Sequence, residues 1–356
     1  MGDSGFGNGL KALDILFAIF ALPVPLSPVS RALESCTFWT WGSAALHPRA
    51  GSPAEHLGWG ARLYAFTRSA GFGHQNSMTQ QIAKTRVAFQ GERGAFSEEA
   101  AVKLLGEDIQ LVPRPTFESL FVAIDEGAAD YILAPVENSL AGSVHRSYDL
   151  LLESSLHISA EVIIPIRHHL IGCAGASFDG IKSVESHPVA LAQCERFFAA
   201  HPQIQRIATE DTAGSVAKVI KLGDPTRAAI AGSRAANIYG GKVLQHNLED
   251  HTENYTRFVL LTPSATPSSK ADKLSIVMKL PHKAGALYRA LQPFADRGID
   301  LLKIESRPIK GRAFEYHFYL DLQASTNDER VMKGLAELGD RATEVRVLGC
   351  YQAGSK

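Results

Sequence analysis

Little in this sequence commits it to a metal, a membrane or a polyanion. The 4 cysteines among 356 residues, Cys36, Cys173, Cys194 and Cys350, form no CxxC pair and lie too far apart for a common local zinc spacing. They read as reduced thiols of a cytoplasmic protein. Neither sign of charge is in excess, since 36 Lys+Arg face 37 Asp+Glu for a net charge of -1. That leaves no basic field to draw the chain to nucleic acid or to an anionic membrane. With 45% hydrophobic and 21% charged residues, disorder, collagen and coiled coil are excluded, and the length suggests about two or three domains. A small molecule is the default partner.

Charge is scarce in one region only. Residues 1–77 hold 5 of the 36 Lys+Arg and 4 of the 37 Asp+Glu, yet all three tryptophans, Trp39, Trp41 and Trp59. The apolar run at 15–22 has the length of a signal-peptide core, but Lys11 is offset by Asp3 and Asp14 and no small-x-small cleavage site follows. It is too short to span a bilayer. Three readings stand: a translation start placed too far upstream, with Met78 as the true start; a disordered extension; or a targeting segment.

From residue 85 onward, short Val/Ile/Ala-rich runs alternate with amphipathic stretches, the pattern of strands feeding helices. Strands are expected at 86–90, 110–113 and 131–136, with helices at 97–105, 117–126 and 148–153. A long apolar segment at 158–173 suggests a strand or strand pair crossing into a second lobe. There the alternation repeats: strands at 181–185, 205–208 and 228–231, helices at 189–199, 214–222 and 233–239, and a closing strand at 257–261. The Pro/Ser/Thr stretch 262–269 cannot bury a core and marks a domain boundary. Beyond it the order is βαββαβ: strands at 273–280, 301–305, 314–322 and 344–348, and helices at 286–297 and 328–338, the split pattern of a ferredoxin-like module. The expected domains are therefore an extension at 1–84, an α/β domain at 85–262, a linker at 263–272 and the small module at 273–350.

The strand-to-helix junctions of the larger domain carry small or hydroxyl residues around Gly91 to Ser97, Ser186 to Pro188, Asp211 to Ser215 and Gly232 to Ala236. Free N–H groups and the helix dipole at such junctions favour an anion. Ser97, Ser186, Thr212 and Ser233 taken singly read equally as N-caps. Together they predict a small anionic ligand. The segment from Pro135 to Ser143 leaves a buried strand with Glu137 and Asn138, which read either as ligand contacts or as loop residues satisfying backbone groups. Gln193 lies seven residues beyond Ser186, about two turns along one helix face, so both side chains are placed to meet one ligand. His187 beside a helix start more often bonds locally and is given no chemistry. In the polar loop 253–258, Arg257 is suited to fork onto a carboxylate or onto Glu137, and Thr256 to donate a proton to a leaving oxygen in a dry site.

Those blocks, together with Thr256-Arg257-Phe258, resemble prephenate dehydratase in order and spacing across about 180 residues. The downstream module resembles an ACT regulatory domain, in which Gly285-Ala286-Leu287 and Glu305-Ser306-Arg307-Pro308 look like the two phenylalanine-binding motifs. The resemblance covers residues 85 to about 350. It implies an α/β, two-lobed catalytic domain similar to periplasmic binding proteins, followed by the ferredoxin-like ACT domain. It further implies a carbon–oxygen lyase that converts prephenate to phenylpyruvate in phenylalanine biosynthesis, without metal or organic cofactor. L-phenylalanine would be its allosteric inhibitor, and a homodimer or homotetramer its assembly. By the same resemblance Thr256 assists departure of the ring hydroxyl, Asn138, Ser186 and Gln193 position substrate, and Arg257 contributes charge. Glu137, Ser97, Thr212, Ser233 and Phe258 complete the substrate site. Ala284 departs from the Pro-Gly-Ala-Leu usual in the first ACT motif, and loss of the preset φ predicts a looser loop and weaker phenylalanine binding.

Two alternatives accompany this reading. An arogenate dehydratase, making phenylalanine directly from the aminated substrate, would carry the same motifs. A non-catalytic sensor of small anions would share the two-lobed domain, but the Thr256-Arg257-Phe258 segment and the ACT-like module argue against it.

Overall fold

The structure, a computed structural model, describes residues 84–266 and 268–355. Met78, Cys36 and the whole charge-poor segment lie outside the described residues.

The first lobe runs β1 (Thr85–Gln90), α1 (Phe96–Leu105), β2 (Ile109–Arg114), α2 (Phe117–Phe121), β3 (Tyr131–Asn138), β4 (Gly142–Ser143), α3 (His145–Glu153) and β5 (His157–Pro165). β1 pairs in parallel with β2 and β3, as crossover helices require. The chain then passes through residues 166–168 into the second lobe: β6 (His169–Gly172), β7 (Ser183–Ser186), α4 (Pro188–Ala192), α5 (Glu195–Ala200), β8 (Gln205–Ala208), α6 (Thr212–Leu222), β9 (Arg227–Ala231), α7 (Ser233–Tyr239) and β10 (Lys242–Gln245). Residues 246–254 carry it back, and β11 (Tyr255–Thr262) inserts antiparallel between β3 and β5. The first sheet has the order β2-β1-β3-β11-β5 and the second β10-β6-β9-β7-β8. Two chain crossings between two α/β lobes thus form the two-lobed domain that the sequence pattern predicts.

The apolar run 158–173 is a strand pair, β5 and β6, one of the two arrangements expected. Two elements differ from the sequence expectation: β10 follows α7 where no strand was expected, and one helix is broken. The helix expected at 189–199 is broken into α4 and α5, with Gln193 as the C-cap of the first. Asp250 is the cause: its carboxylate accepts from the N–H groups of Glu195 and Arg196 at 2.8 and 2.9 Å, while its own N–H donates to the Gln193 carbonyl at 2.7 Å. A carboxylate from the returning crossing caps α5 and pins the residue before the break.

The third unit runs β12 (Lys273–Lys279), α8 (Ala286–Ala295), β13 (Leu301–Pro308), β14 (Tyr316–Leu322), α9 (Glu329–Arg341) and β15 (Glu344–Tyr351), an antiparallel sheet of order β13-β14-β12-β15. Period-two alternation divides its core. Leu274, Ile276, Met278, Leu320 and Leu322 pack with Ala290 and Phe294 of α8 and Val331 and Leu338 of α9. On the opposite face Val277, Tyr319, Leu348 and Tyr351 join Leu151, Ile158 and Val259 of the first lobe in one buried cluster. Each fully buried apolar side chain of this kind contributes about 2 kcal/mol. The approach is close: a Cβ on Gly349 would run into the Ile158 carbonyl oxygen. The small unit is therefore fused to the first lobe through a common core rather than tethered beside it.

Candidate active site

The two lobes enclose a cavity of about 470 Å³, open to solvent. Residues drawn from the segments 90–97 and 135–144, among them Gln90, Ser97 and Asn138, line it from the first lobe, and residues of 187–193 and 210–212, among them Gln193 and Thr212, from the second, with Ile166 and His168 at the crossing. The starts of α1 and α6 face it, that of α6 capped by the Asp211 carboxylate, which accepts from the Gly214 N–H. None of the described lining residues is a lysine or an arginine. Near the cavity the lobes also touch. A Cβ on Gly94, whose φ is +85°, would lie 2.7 Å from the Ala235 backbone, and one on Gly232 would lie 2.9 Å from the Phe96 ring. Beside this contact the buried Glu98 carboxylate joins Arg93 at 2.7 Å and Arg234 of the second lobe at 2.9 Å. Burial opposes the charge of Glu98, but the hydrogen bonds from Arg93, the Gly94 N–H and Arg234 prevail and hold its carboxyl below the ordinary range.

Strand register explains why Thr256 and Asn138 meet. The two are directly opposed in the β3–β11 pair, as Arg257 and Glu137 are on the next rung. A bulge between these rungs and Phe258 opposite Pro135 lets both Pro135 and Asn138 line the cavity, three residues apart. Asn138 Oδ1 accepts from the N–H groups of Leu140 and Ala141 at 3.0 and 2.8 Å, so Nδ2 is turned to Thr256 Oγ1 at 3.0 Å and Asn254 Oδ1 at 2.8 Å. Asn254 Nδ2 donates to Gln193 Oε1 at 2.9 Å, and His168 Nε2 lies 2.9 Å from the same oxygen. Thr256, Asn138 and Gln193, expected together from sequence, are thus brought together, and Ser97 and Thr212 also line the cavity.

Five other expected residues lie elsewhere. Ser186 is fully buried and its hydroxyl donates to the Ile230 carbonyl at 2.6 Å, because it ends a strand inside the second sheet instead of sharing a helix face with Gln193. Ser233 is exposed and its junction serves lobe contact through Gly232 and Arg234. Phe258 packs in the first-lobe core with Val87, Ala100 and Leu133. Arg257 and Glu137, being one residue out of phase with Thr256 and Asn138, face the small unit. Arg257 bonds Glu161 at 2.7 Å, Asp321 at 2.6 Å, Tyr351 at 3.1 Å and Glu137 at 3.4 Å. Glu137 in turn accepts from Lys303 at 2.7 Å. Burial works against the Arg257 charge, yet Asp321 and Glu161 hold the guanidinium firmly protonated. Arg257 does touch Glu137, through one long contact rather than a fork, and that contact belongs to the interdomain network. His187 bonds locally, Nδ1 accepting from the Val189 N–H at 3.2 Å.

Asn254 and His168 escaped the sequence reading. Asn254 stands two residues before Thr256, the spacing that shares a strand face, and His168 belongs to a polar Arg-His-His interruption of an apolar run. Burial lowers the His168 pKa and so favours the neutral ring.

In the small unit, Gly285, Ala286 and Leu287 line a second cavity of about 250 Å³ with Phe314, Tyr316 and Phe318. The segment from Glu305 to Pro308 does not line it. Its strand alternates: Ser306 and Pro308 are exposed, while Glu305 bonds Ser143 at 2.6 Å and His145 at 3.2 Å, and Arg307 bonds Asp149 at 3.1 and 3.2 Å.

The prephenate dehydratase family model matches residues 87–266 and the ACT domain model residues 274–340. An arogenate dehydratase/prephenate dehydratase of Arabidopsis thaliana, named as chloroplastic, is 41% identical over 76% of this chain and 72% of its own. A solved prephenate dehydratase from Arthrobacter aurescens in complex with L-Phe shares 31% identity at a TM-score of 0.70, over 76% of this chain and 90% of that one. The solved structure of GqqA, described as a quorum-quenching acylase, shares 29% at the same TM-score of 0.70, over 76% and 98%. The chain belongs to the prephenate dehydratase family.

Proposed function

We propose that this prephenate dehydratase aromatises prephenate in the cavity between its lobes, with the Thr256 hydroxyl directed at the departing ring hydroxyl. The observation that carries the assignment is the Asn138–Thr256 bond. Because Thr256 Oγ1 accepts from Asn138 Nδ2, its own proton is free to be donated into the cavity. As the bond from the ring to its carboxylate breaks, its electrons move into the ring, the double bonds shift and the C–O bond opposite breaks. CO2 leaves on one side, and the hydroxyl leaves as water once it has taken a proton. A threonine hydroxyl is a weak acid, so its part is a preorganised hydrogen bond in a partly dry site, with solvent as the ultimate proton source. A substrate carboxylate meets the start of α1, and Ser97 and Thr212 are hydroxyls placed to bond the substrate. Phenylpyruvate formation from prephenate by the purified chain tests the assignment. A folded protein without this activity overturns it.

One observation favours arogenate as an alternative substrate. Glu210 lines a cavity whose described lining has no lysine or arginine, which suits an ammonium group better than a keto group. The ratio of kcat/KM for arogenate and prephenate decides between them.

Phenylalanine is the proposed feedback ligand of the ACT domain, held at Gly285, Ala286 and Leu287, with the exposed Ser306 and Pro308 presented by a second copy of the chain in a homodimer or homotetramer. Calorimetric titration that finds no phenylalanine binding overturns this. A cytoplasmic location is proposed from the cysteine pattern. No helix among the described residues is long and apolar enough to cross a membrane.

A further inference from the structure

The hydrogen bonds around Thr256 have a direction that can be traced from the backbone. The N–H groups of Leu140 and Ala141 can only donate, so the Asn138 oxygen must face them and its NH2 must face Thr256 and Asn254. Asn254 must then present its oxygen to Asn138 and its NH2 to Gln193. The Gln193 oxygen, already accepting from Asn254, lies 2.9 Å from His168 Nε2, which must carry the proton. His168 Nδ1 is left bare, and it is buried with no hydrogen-bond partner among the described residues. Asn254 is fully buried and His168 is 2% exposed. The two sit on the two segments that cross between the lobes, so this chain of side chains runs from the first lobe to the second along the crossing.

We propose that Asn254 and His168 are positioning residues for the reaction: they lock the amide of Gln193 and, through Asn138, keep the Thr256 hydroxyl pointed at substrate. The inference rests on the reading of Thr256 as the group that assists hydroxyl departure. Asn254 is the link that cannot be replaced by an acceptor. Three charged groups on the crossings are engaged elsewhere: Arg167 bonds Glu249 at 3.4 Å and the Thr252 carbonyl, Glu249 accepts from the His168 N–H at 2.8 Å, and Asp250 caps α5, while His251 and Glu253 are exposed.

Asn254→Asp supplies the test, because the new side chain is an acceptor when ionised and a donor when protonated. Nitrogen-15 NMR of histidine-labelled full-length protein should show His168 protonated at Nε2 and bare at Nδ1. In Asn254→Asp above the pKa of the new carboxyl, the Gln193 amide turns over. The His168 proton then moves to Nδ1, and kcat falls about 10- to 100-fold with KM little changed. As pH falls and the carboxyl is protonated, the Nε2 signal and kcat relative to wild type recover together. An Nδ1–H tautomer in the wild type, or a folded Asn254→Asp with wild-type tautomer and kcat at every pH, overturns the proposal. Should that variant not fold, His168→Gln, which keeps a donor toward Gln193, is expected to retain most of the kcat that His168→Leu loses. Equal kcat in these two overturns it as well. Thr256→Ala measured alongside separates the two readings: normal turnover there removes the role of Thr256, while the His168 tautomer still reports the relay.

Discussion

The Glu305 carboxylate accepts a hydrogen bond from the Ser143 hydroxyl at 2.6 Å, joining a strand of the ACT domain to a residue that lines the interlobe cavity. Ser143 also accepts from Lys303 at 2.8 Å, so one cavity-lining hydroxyl is held by two ACT side chains. A regulator that moves β13 therefore moves the wall of that cavity. Ser143→Ala should leave phenylalanine binding, measured by calorimetry, within a few-fold of wild type. The factor by which phenylalanine weakens substrate binding should fall roughly 5- to 10-fold, the loss of one charge-assisted hydrogen bond from the coupling. Unchanged coupling in this variant would remove Ser143 from the path.

Thr256→Ala is expected to lower kcat by about two to four orders of magnitude, the range for a lost acid or oxyanion-type donor. Thr256→Ser, which keeps the hydroxyl, should recover most of it. Steady-state kinetics on protein with a wild-type circular dichroism spectrum settles the role.

Arg257→Met should destabilise the chain by about 3–5 kcal/mol, because Glu161 and Asp321 are left buried with too little counter-charge. Urea unfolding measures it. Since Arg257 does not line the cavity, KM for prephenate should stay within a few-fold wherever the variant is folded. A large rise in KM would return Arg257 to the substrate.

Glu98 gives the lobe contact an acid limit. Its carboxyl is depressed when folded, so its stabilising contribution is complete above the unfolded value of about 4.3 and is lost as pH falls from there through the depressed folded value. Glu98→Gln should cost about 1–3 kcal/mol at neutral pH and flatten the acid side of a stability-against-pH profile. A profile of unaltered slope would show that the pairing with Arg93 and Arg234 adds nothing.

Ala284→Pro should tighten phenylalanine binding. The Ala284 N–H donates to no group among the described residues, and the residue precedes Gly285, whose φ of +73° opens α8. Proline there restricts the unliganded loop without removing a hydrogen bond, a gain of about 0.4–1 kcal/mol or a few-fold in Kd. Weaker binding would mean that the backbone at 284 cannot adopt the proline φ.

The strand–helix alternation, the lobe crossing near 166 and the βαββαβ module were legible because each rests on local periodicity. Which way a residue faces within a strand was not. Thr256 and Arg257 are adjacent and both chemically suggestive, but the pleat sends one to the cavity and the other to the ACT domain. The break at Gln193 was hidden for a different reason: the carboxylate that causes it, Asp250, lies 55 residues from the N–H it caps at Glu195. The orientation of the Asn138 amide was equally out of reach, since it depends on a turn closing at Leu140 and Ala141.

The shared core of the first lobe and the ACT domain has a mechanical consequence. With Ile158 seated against Gly349 and Tyr319 and Tyr351 buried among lobe residues, those two units form a single body, to which the second lobe is joined by the two straps at 166–168 and 246–254. Asn254 and His168 sit on the straps themselves. Whatever load an effector places on the ACT domain therefore falls on the same body that carries Asn138 and Thr256.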